Sequence, residues 1–340
     1  MGSAAERTGT SAKRDTTATA EACPYHRTGD LGVPARTPET AASACRTSFS
    51  DDRFLRFRQE FAVPYTAEIS RSNPTSIIFL VDQSTSMSDP IGGEVPQQKA
   101  DVVADAINRL LTELSVKCAK EEGVRDYFHV AVIGYGATVG SALAGPLEGR
   151  DLVPLSEVAD NPARIDERSK KVPDGAGGLV ETAVNFPLWM DPVAHGGTPM
   201  NRALQYAEGL VAGWTERFPA GFPPIVINLT DGESTDGDPT AAAEAVTSHA
   251  TADGAALLFN LHVSAAGGTP TAFPDSADTL PDSYARTLFG MSSPLPSHMR
   301  SYAASQGQRV SETTRGFVYN ADITTVVQFL DIGTRATELR

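Results

Sequence analysis

Short apolar runs alternate with longer amphipathic segments along this chain, and that alternation limits the fold more than any other feature. Runs rich in β-branched and aromatic residues occur at Ile77–Val81, Tyr127–Gly134, Ile225–Leu229, Leu257–Val263 and Phe317–Tyr319. Such runs are typical of strands that are buried on both faces of a parallel sheet. Parallel neighbours need long crossover connections, which helices usually provide. We therefore predict a Rossmann-like α/β fold with a mostly parallel central sheet and helices on both faces.

The segments between these runs carry apolar residues at helical spacing. After the first run, apolar side chains recur at positions 103, 107, 110, 111, 114 and 118, which share one helix face. Further helices are predicted after Thr198-Pro199, after Asp238-Pro239, near Ser297–Gln306 and from Ile323. Thr198-Pro199 and Asp238-Pro239 match an N-cap followed by proline at the first helical position, so Thr198 and Asp238 are predicted caps.

The chain is predicted to have three parts. Residues 1–50 are rich in Thr, Ala and Ser and lack apolar periodicity, which favours a disordered tail. Aromatic residues follow, and residues 51–72 are predicted to form a docking arm. Residues 73–340 are predicted to form the α/β domain. Its segment at about 137–197 is rich in Gly and Pro and is predicted to be a hairpin with a long irregular insertion.

The charge and cysteine content exclude several classes of function. Against 28 Lys and Arg stand 42 Asp and Glu in 340 residues, a formal charge of −14, which argues against nucleic-acid and anionic-membrane partners. Three cysteines are too few for a disulfide framework. No apolar stretch is typical of a signal peptide or a membrane span. We therefore predict a cytoplasmic protein.

Polar strings follow the predicted strands at the point where each strand ends. The first run is followed by Asp82-Gln83-Ser84-Thr85-Ser86 and the third by Thr230-Asp231-Gly232-Glu233, while Gly196-Gly197-Thr198-Pro199 lies between them. Ligands of open α/β sheets bind at the carboxyl ends of the strands. Carboxylates and hydroxyls without Cys or His suit Mg²⁺ or Mn²⁺ and are poor ligands for zinc. The sequence predicts a hard-cation site.

Together the three strings resemble the metal-ion-dependent adhesion site of von Willebrand factor type A domains, whose motif is D-x-S-x-S with a distant Thr and a distant Asp. The resemblance implies a metal bound by Asp82, Ser84, Ser86, Thr198 and Asp231. The rim of that site would contain Gln83, Thr85, Gly197, Gly232 and Glu233. Gln83 and Thr85 depart from the residues common in the family, at positions that are not ligands. In the family, a partner's carboxylate completes the coordination of the ion, and the domain is not an enzyme.

The resemblance extends from about Pro64 to Arg340. Stretches such as GGTPMNRAL and FPPIVINLTDGESTDGDPTAAAEA are similar to a bacterial group of stand-alone domains related to the tellurium-resistance-associated proteins. Genes of that group neighbour those of protein kinases and PP2C-type phosphatases. The resemblance therefore implies a role in kinase and phosphatase signalling or in stress response.

Two other functions stay open. The chain could serve as the partner subunit of a separate AAA+ ATPase, since it carries no ATP-binding motif of its own. It could also be a Mg²⁺-dependent phosphohydrolase with Asp82 as nucleophile. That chemistry needs an acid or base beside the nucleophile, and position 84, where the D-x-D form has one, is Ser84.

Simpler interpretations accompany several of these residues. Asp82 and Ser84 are also common turn formers at strand ends. Cys23, His26 and Cys45 lack a fourth ligand for zinc. Three further residues are predicted without a chemical role, Cys118 and His262 in the core and His195 in a loop.

Overall fold

A computed structural model describes residues 64–91, 97–173, 179–263 and 270–334. The predicted tail at 1–50, and the predicted arm at 51–72 as far as residue 63, lie outside the described residues. Within the described ranges, no helix is long and apolar enough to span a membrane.

An eight-stranded sheet forms the centre of the fold. Its strands are β1 (Thr75–Asp82), β2 (Phe128–Tyr135), β3 (Val139–Ser141), β4 (Val153–Pro154), β7 (Ile225–Thr230), β8 (Leu257–Val263), β9 (Thr271–Ala272) and β10 (Phe317–Ala321). A separate antiparallel hairpin consists of β5 (Arg164–Pro173) and β6 (Leu179–Leu188). The sheet order is β9-β10-β8-β7-β1-β2-β3, and β4 also pairs with β2. The five inner strands are parallel, whereas β3, β4 and β9 are antiparallel to their neighbours.

Seven α-helices accompany the strands that the structure describes. They are α1 (Lys99–Cys118), α2 (Leu155–Asp160), α3 (Met200–Arg217), α4 (Thr240–Ser248), α5 (Ser283–Met291), α6 (Ser297–Ser305) and α7 (Ile323–Gly333). All six apolar positions predicted for the first helix face are buried in α1. The structure adds α2 and α5, which the sequence analysis did not predict.

The side chains of β1 alternate between two hydrophobic cores, one on each face of the sheet. Ile77, Phe79 and Val81 pack with α1 and α7 on one face. Ile78 and Leu80 pack with α3, α4 and α5 on the other. Because both faces are covered, the whole of β1 is buried, which is why it appears as a continuous apolar run. The predicted α/β class, with a mostly parallel sheet and helices on both faces, is confirmed.

The segment at 137–197 contains β3, β4, α2 and the long β5–β6 hairpin. Asn108, buried in α1, anchors the end of the hairpin. Its side-chain oxygen accepts from the backbone N–H groups of Trp189 (2.8 Å) and Met190 (3.2 Å). Its amide donates to the Met190 carbonyl at 3.0 Å. Arg168 of β5 also forms a bidentate pair with Asp105 of α1, at 2.9 and 3.0 Å.

The strand order fixes where a ligand can bind. After β1 the chain places β2 on one side, then returns to place β7, β8 and β10 in turn on the other. Connections that leave β1 and β7 on opposite faces open a crevice between the carboxyl ends of these two strands, which is the usual ligand site of such sheets. Asp82 ends β1, and Asp231 directly follows β7.

Candidate functional site

Asp82 lies at the floor of this crevice and is 1% exposed. Its Oδ1 accepts from the backbone N–H of Ser84 at 2.8 Å, and its Oδ2 accepts from the Thr230 hydroxyl at 2.8 Å. Burial raises the pKa of Asp82 to about 6, although the hydrogen bonds from Ser84 and Thr230 oppose the shift and the charge of Asp231 adds to it. A cation placed beside a buried carboxylate with a raised pKa stabilises its ionised form.

The loop after β1 turns back over the site as a short 3-10 helix at Thr85–Ser88. This turn brings the hydroxyl oxygens of Ser84 and Ser86 within 3.0 Å of each other. The Ser86 hydroxyl donates to Asp231 Oδ1 at 2.7 Å, so the first loop is joined directly to the loop after β7. Four of the five predicted ligands are therefore linked to one another through close contacts.

Thr198 comes from the third loop, which two contacts hold against the others. The Thr85 hydroxyl lies 3.1 Å from both the carbonyl oxygen and the N–H of Gly196, where the backbone φ of +99° favours glycine. On the other side, the backbone N–H of Thr198 donates to the Thr235 hydroxyl at 2.9 Å. A Cβ built on Gly232 would lie 3.9 Å from the Thr198 hydroxyl, which places Thr198 beside the Asp231 loop.

The Thr198 side chain does not cap α3, contrary to the sequence prediction. The helix begins at Met200, and Pro199 in the N-cap position makes no side-chain capping bond. Asp236 takes that role from a distant loop, because its carboxylate accepts from the N–H groups of Asn201 and Arg202, both at 3.0 Å. The Thr198 hydroxyl is thus left without a hydrogen-bond partner among the described residues. At α4 the helix begins at Thr240 and Pro239 is in the N-cap position, one residue later than predicted. The Asp238 carboxylate nevertheless accepts from the N–H of Thr240 at 2.9 Å.

Lys99, the first residue of α1, also reaches the site, although it is not among the predicted site residues. Its ammonium donates to Asp231 Oδ2 at 2.8 Å, and the two side chains are 6% and 0% exposed. Nothing in the local sequence marks this lysine, because 132 residues separate it from Asp231. An ammonium inside an otherwise acidic site is its least expected feature.

The predicted rim residues surround the crevice in different ways. The backbone oxygen of Gln83 accepts from the backbone N–H of His195 at 2.6 Å, so His195 is joined to the site through its backbone. A Cβ on Gly197 would come within 3.0 Å of the Thr235 hydroxyl, so the loops approach closely there. The side chains of Thr85 and Glu233 lie at the exposed edge.

A buried polar chain lies beneath the site and crosses the sheet. The Tyr135 hydroxyl donates to Asn228 at 2.7 Å, the Asn228 amide donates to Asn260 at 2.9 Å, and Asn260 donates to the Ser292 hydroxyl at 3.0 Å. Its members are buried and hydrogen-bonded to one another, which fixes β2, β7 and β8 relative to each other. The predicted core residue His262 is 8% exposed and stacks on Tyr319.

The donor set suits a small hard cation. Two carboxylates and the hydroxyls of Ser84, Ser86 and Thr198 are all oxygen ligands, which Mg²⁺ and Mn²⁺ prefer. In the ranges that the structure describes, no group of three or more His, Cys, Asp and Glu side chains could hold a metal. A cation here would therefore depend on hydroxyl ligands. The Thr198 hydroxyl, which has no hydrogen-bond partner in the part of the chain that the structure describes, is available as one of them.

No family model matches the sequence, and no curated protein matches it. Among solved structures, a von Willebrand factor type A protein from Catenulispora acidiphila is similar over 78% of this chain and 43% of its own, with 14% identity and a TM-score of 0.39. Proximal thread matrix protein 1 from the mussel byssus, with a zinc-occupied MIDAS motif, is similar over 78% and 48%, with 14% identity and a TM-score of 0.36. Manganese-loaded Plasmodium vivax TRAP is similar over 56% and 57%, with 14% identity and a TM-score of 0.29. This chain thus spans about half of each of these proteins. Likeness at this level does not transfer function, which depends on the residues of the site itself.

Proposed function

We propose that this chain is a von Willebrand A-type domain that binds Mg²⁺ or Mn²⁺ and, through the ion, an acidic group of a partner protein. Asp82, Ser84, Ser86, Thr198 and Asp231 would hold the ion directly or through water. The observation that carries the proposal is the convergence of these residues, from three loops, at the carboxyl ends of β1 and β7. Mg²⁺ takes six oxygen ligands and keeps some waters, so a position stays open for a carboxylate.

The proposed function is binding and not catalysis. A nucleophilic carboxylate must reach its substrate, whereas both oxygens of Asp82 accept hydrogen bonds from within the protein and its side chain is 1% exposed. The residue two positions later is Ser84, which supplies neither acid nor base. We expect no Mg²⁺-dependent turnover of p-nitrophenyl phosphate, and turnover that is lost in Asp82→Ala would support the phosphohydrolase instead.

The partner is proposed to be a protein that presents an Asp or Glu side chain. A dication bridging two carboxylates removes the repulsion that an acidic surface would otherwise offer to an acidic partner, and this chain carries a formal charge of −14. A protein kinase, a PP2C-type phosphatase or an AAA+ ATPase remains the predicted source of that group. A role in stress response in a bacterial cytoplasm also stays a prediction.

Calorimetric titration of Mg²⁺ and of Mn²⁺ into EDTA-stripped protein tests the site. We expect one ion per chain and a loss of affinity of about tenfold in Thr198→Val, because the variant lacks a free hydroxyl ligand. Thr279→Val is the matched control, since Thr279 is exposed and forms no side-chain hydrogen bond among the described residues. Equal affinity in all three proteins, or no binding to the unaltered protein, would contradict the proposal.

A capture experiment in Mg²⁺ and in EDTA then tests the bridging role. Proteins retained by the unaltered chain in Mg²⁺ should be lost in EDTA and lost with Asp82→Ala. A set of retained proteins that is the same in both buffers would show that the ion does not bridge to a partner.

A further inference from the structure

Lys99 places an ammonium group inside the candidate metal site. Its ammonium lies 2.8 Å from Asp231 Oδ2, 3.4 Å from the Ser86 carbonyl oxygen and 3.6 Å from Asp89 Oδ2. The first of these contacts is the shortest, and the Asp231 side chain is fully buried whereas the Asp89 side chain is 58% exposed. Asp231 is therefore the main partner of Lys99.

The position of Lys99 in α1 is unfavourable for a lysine by itself. The N-terminus of a helix carries partial positive charge, so a cation in the first turn is destabilising. Taking an ammonium out of water adds to that cost unless a partner with good geometry offsets it. Here the offset comes from Asp231, which in turn has its other oxygen bound to the Ser86 hydroxyl at 2.7 Å. Lysine and aspartate each make the burial of the other possible.

We propose that Lys99 is an internal counter-ion of this site, which holds Asp231 in place without metal and weakens the attraction of the site for a divalent cation. This inference rests on the proposed function. Asp82, Asp231 and Lys99 together carry a charge of −1, so that a bound dication leaves the site at +1. Without Lys99, two carboxylates and a dication would give a neutral site. The site at +1 attracts an anionic group more strongly than that neutral site would.

Two variants separate the charge of Lys99 from its volume and its hydrogen bond. Lys99→Met keeps the length of the side chain without its charge, and Lys99→Gln keeps an N–H donor that can still reach toward Asp231. Lys120→Met is the matched control, because Lys120 is exposed and its substitution changes the formal charge of the chain by the same amount. If Lys99→Met does not fold, Lys99→Gln carries the comparison.

The experiment measures the Mg²⁺ dissociation constant by calorimetry and the melting temperature in EDTA and in excess Mg²⁺. We expect both Lys99 variants to bind Mg²⁺ at least about tenfold more tightly than the unaltered protein, since a repelling charge has been removed from the site. They should also melt at a lower temperature in EDTA, where Asp231 has lost its partner, and gain more from Mg²⁺. Lys120→Met should match the unaltered protein in all of these measurements.

The outcomes distinguish this inference from the proposed function. If the unaltered protein and the Lys99 variants bind Mg²⁺ with the same affinity, the metal site stands and the counter-ion role is wrong. If none of the proteins binds Mg²⁺ or Mn²⁺, the proposed function is wrong and this inference falls with it. If only the Lys99 variants bind, Lys99 replaces the metal in the native chain, which supports the counter-ion role and overturns the proposed function.

Discussion

Replacement of Asp82 by Asn is expected to stabilise the metal-free protein. Burial raises the pKa of Asp82 from 3.8 to about 6, so the folded protein binds a proton more tightly than the unfolded chain does. The free energy of unfolding in EDTA should therefore fall as the pH rises from about 4 through about 6. At pH 7 the ionised carboxylate costs up to roughly 3 kcal/mol, which is the free-energy equivalent of that difference in pKa.

Asparagine fits the hydrogen bonds of the site and so isolates the charge. Its side-chain oxygen can still accept from the N–H of Ser84. In the unaltered protein the Thr230 hydroxyl donates to Asp82. It also lies 3.1 Å from the Gly232 carbonyl oxygen, to which it can donate in the variant instead. We therefore expect most of the gain, about 1–3 kcal/mol, to be realised at pH 7.

Urea unfolding in EDTA at pH 7 and pH 4.5, and at pH 7 in Mg²⁺, measures the effect. The advantage of Asp82→Asn should shrink at pH 4.5, where the native Asp82 is largely protonated. In Mg²⁺ at 100 times the dissociation constant, the unaltered protein should gain about 2.7 kcal/mol and the variant little. Asp160→Asn, at an exposed position, should change neither the pH dependence nor the response to Mg²⁺. A variant that is less stable than the unaltered protein in EDTA at pH 7 would refute this reasoning.

Three further predictions concern residues that support the fold and the site. Asp236→Ala should lower the free energy of unfolding by about 1–2 kcal/mol, because the start of α3 loses its cap, and calorimetry should show weaker Mg²⁺ binding since Thr198 is no longer fixed. Asn108→Ala should cost about 3 kcal/mol in urea unfolding, because it leaves buried backbone groups at the end of the hairpin without partners; an unchanged midpoint would contradict this anchoring role. Burial lowers the pKa of His129 below 6.5, so the unfolded chain binds a proton more tightly than the folded protein does. The free energy of unfolding should therefore fall as the pH drops below about 6.5. His129→Phe should therefore reduce the loss of melting temperature between pH 7.5 and pH 5.5, and a loss equal to that of the unaltered protein would count against it.

Strands that are buried on both faces could be predicted from the sequence. The runs at Ile77–Val81 and Leu257–Val263 become β1 and β8 because strands covered on both sides must be apolar throughout. The β5–β6 hairpin lacks such runs, since most of those of its side chains that the structure describes are exposed and no alternation is required. Helix α5 has only nine residues, but Asp282, whose side chain accepts from the N–H of Ala285, was a cap signal that could have indicated its start.

The sequence by itself determined the α/β class and the kind of chemistry that the strand ends can offer, because burial periodicity and ligand type are properties of neighbouring residues. Only the tertiary structure decided how the charges of the site are balanced. Lys99 meets Asp231 across 132 residues, and Asp236, which caps the helix that follows Thr198, lies 34 residues beyond Arg202 in its first turn. Such pairs depend on which strand ends the topology brings together, and a local pattern contains no record of that.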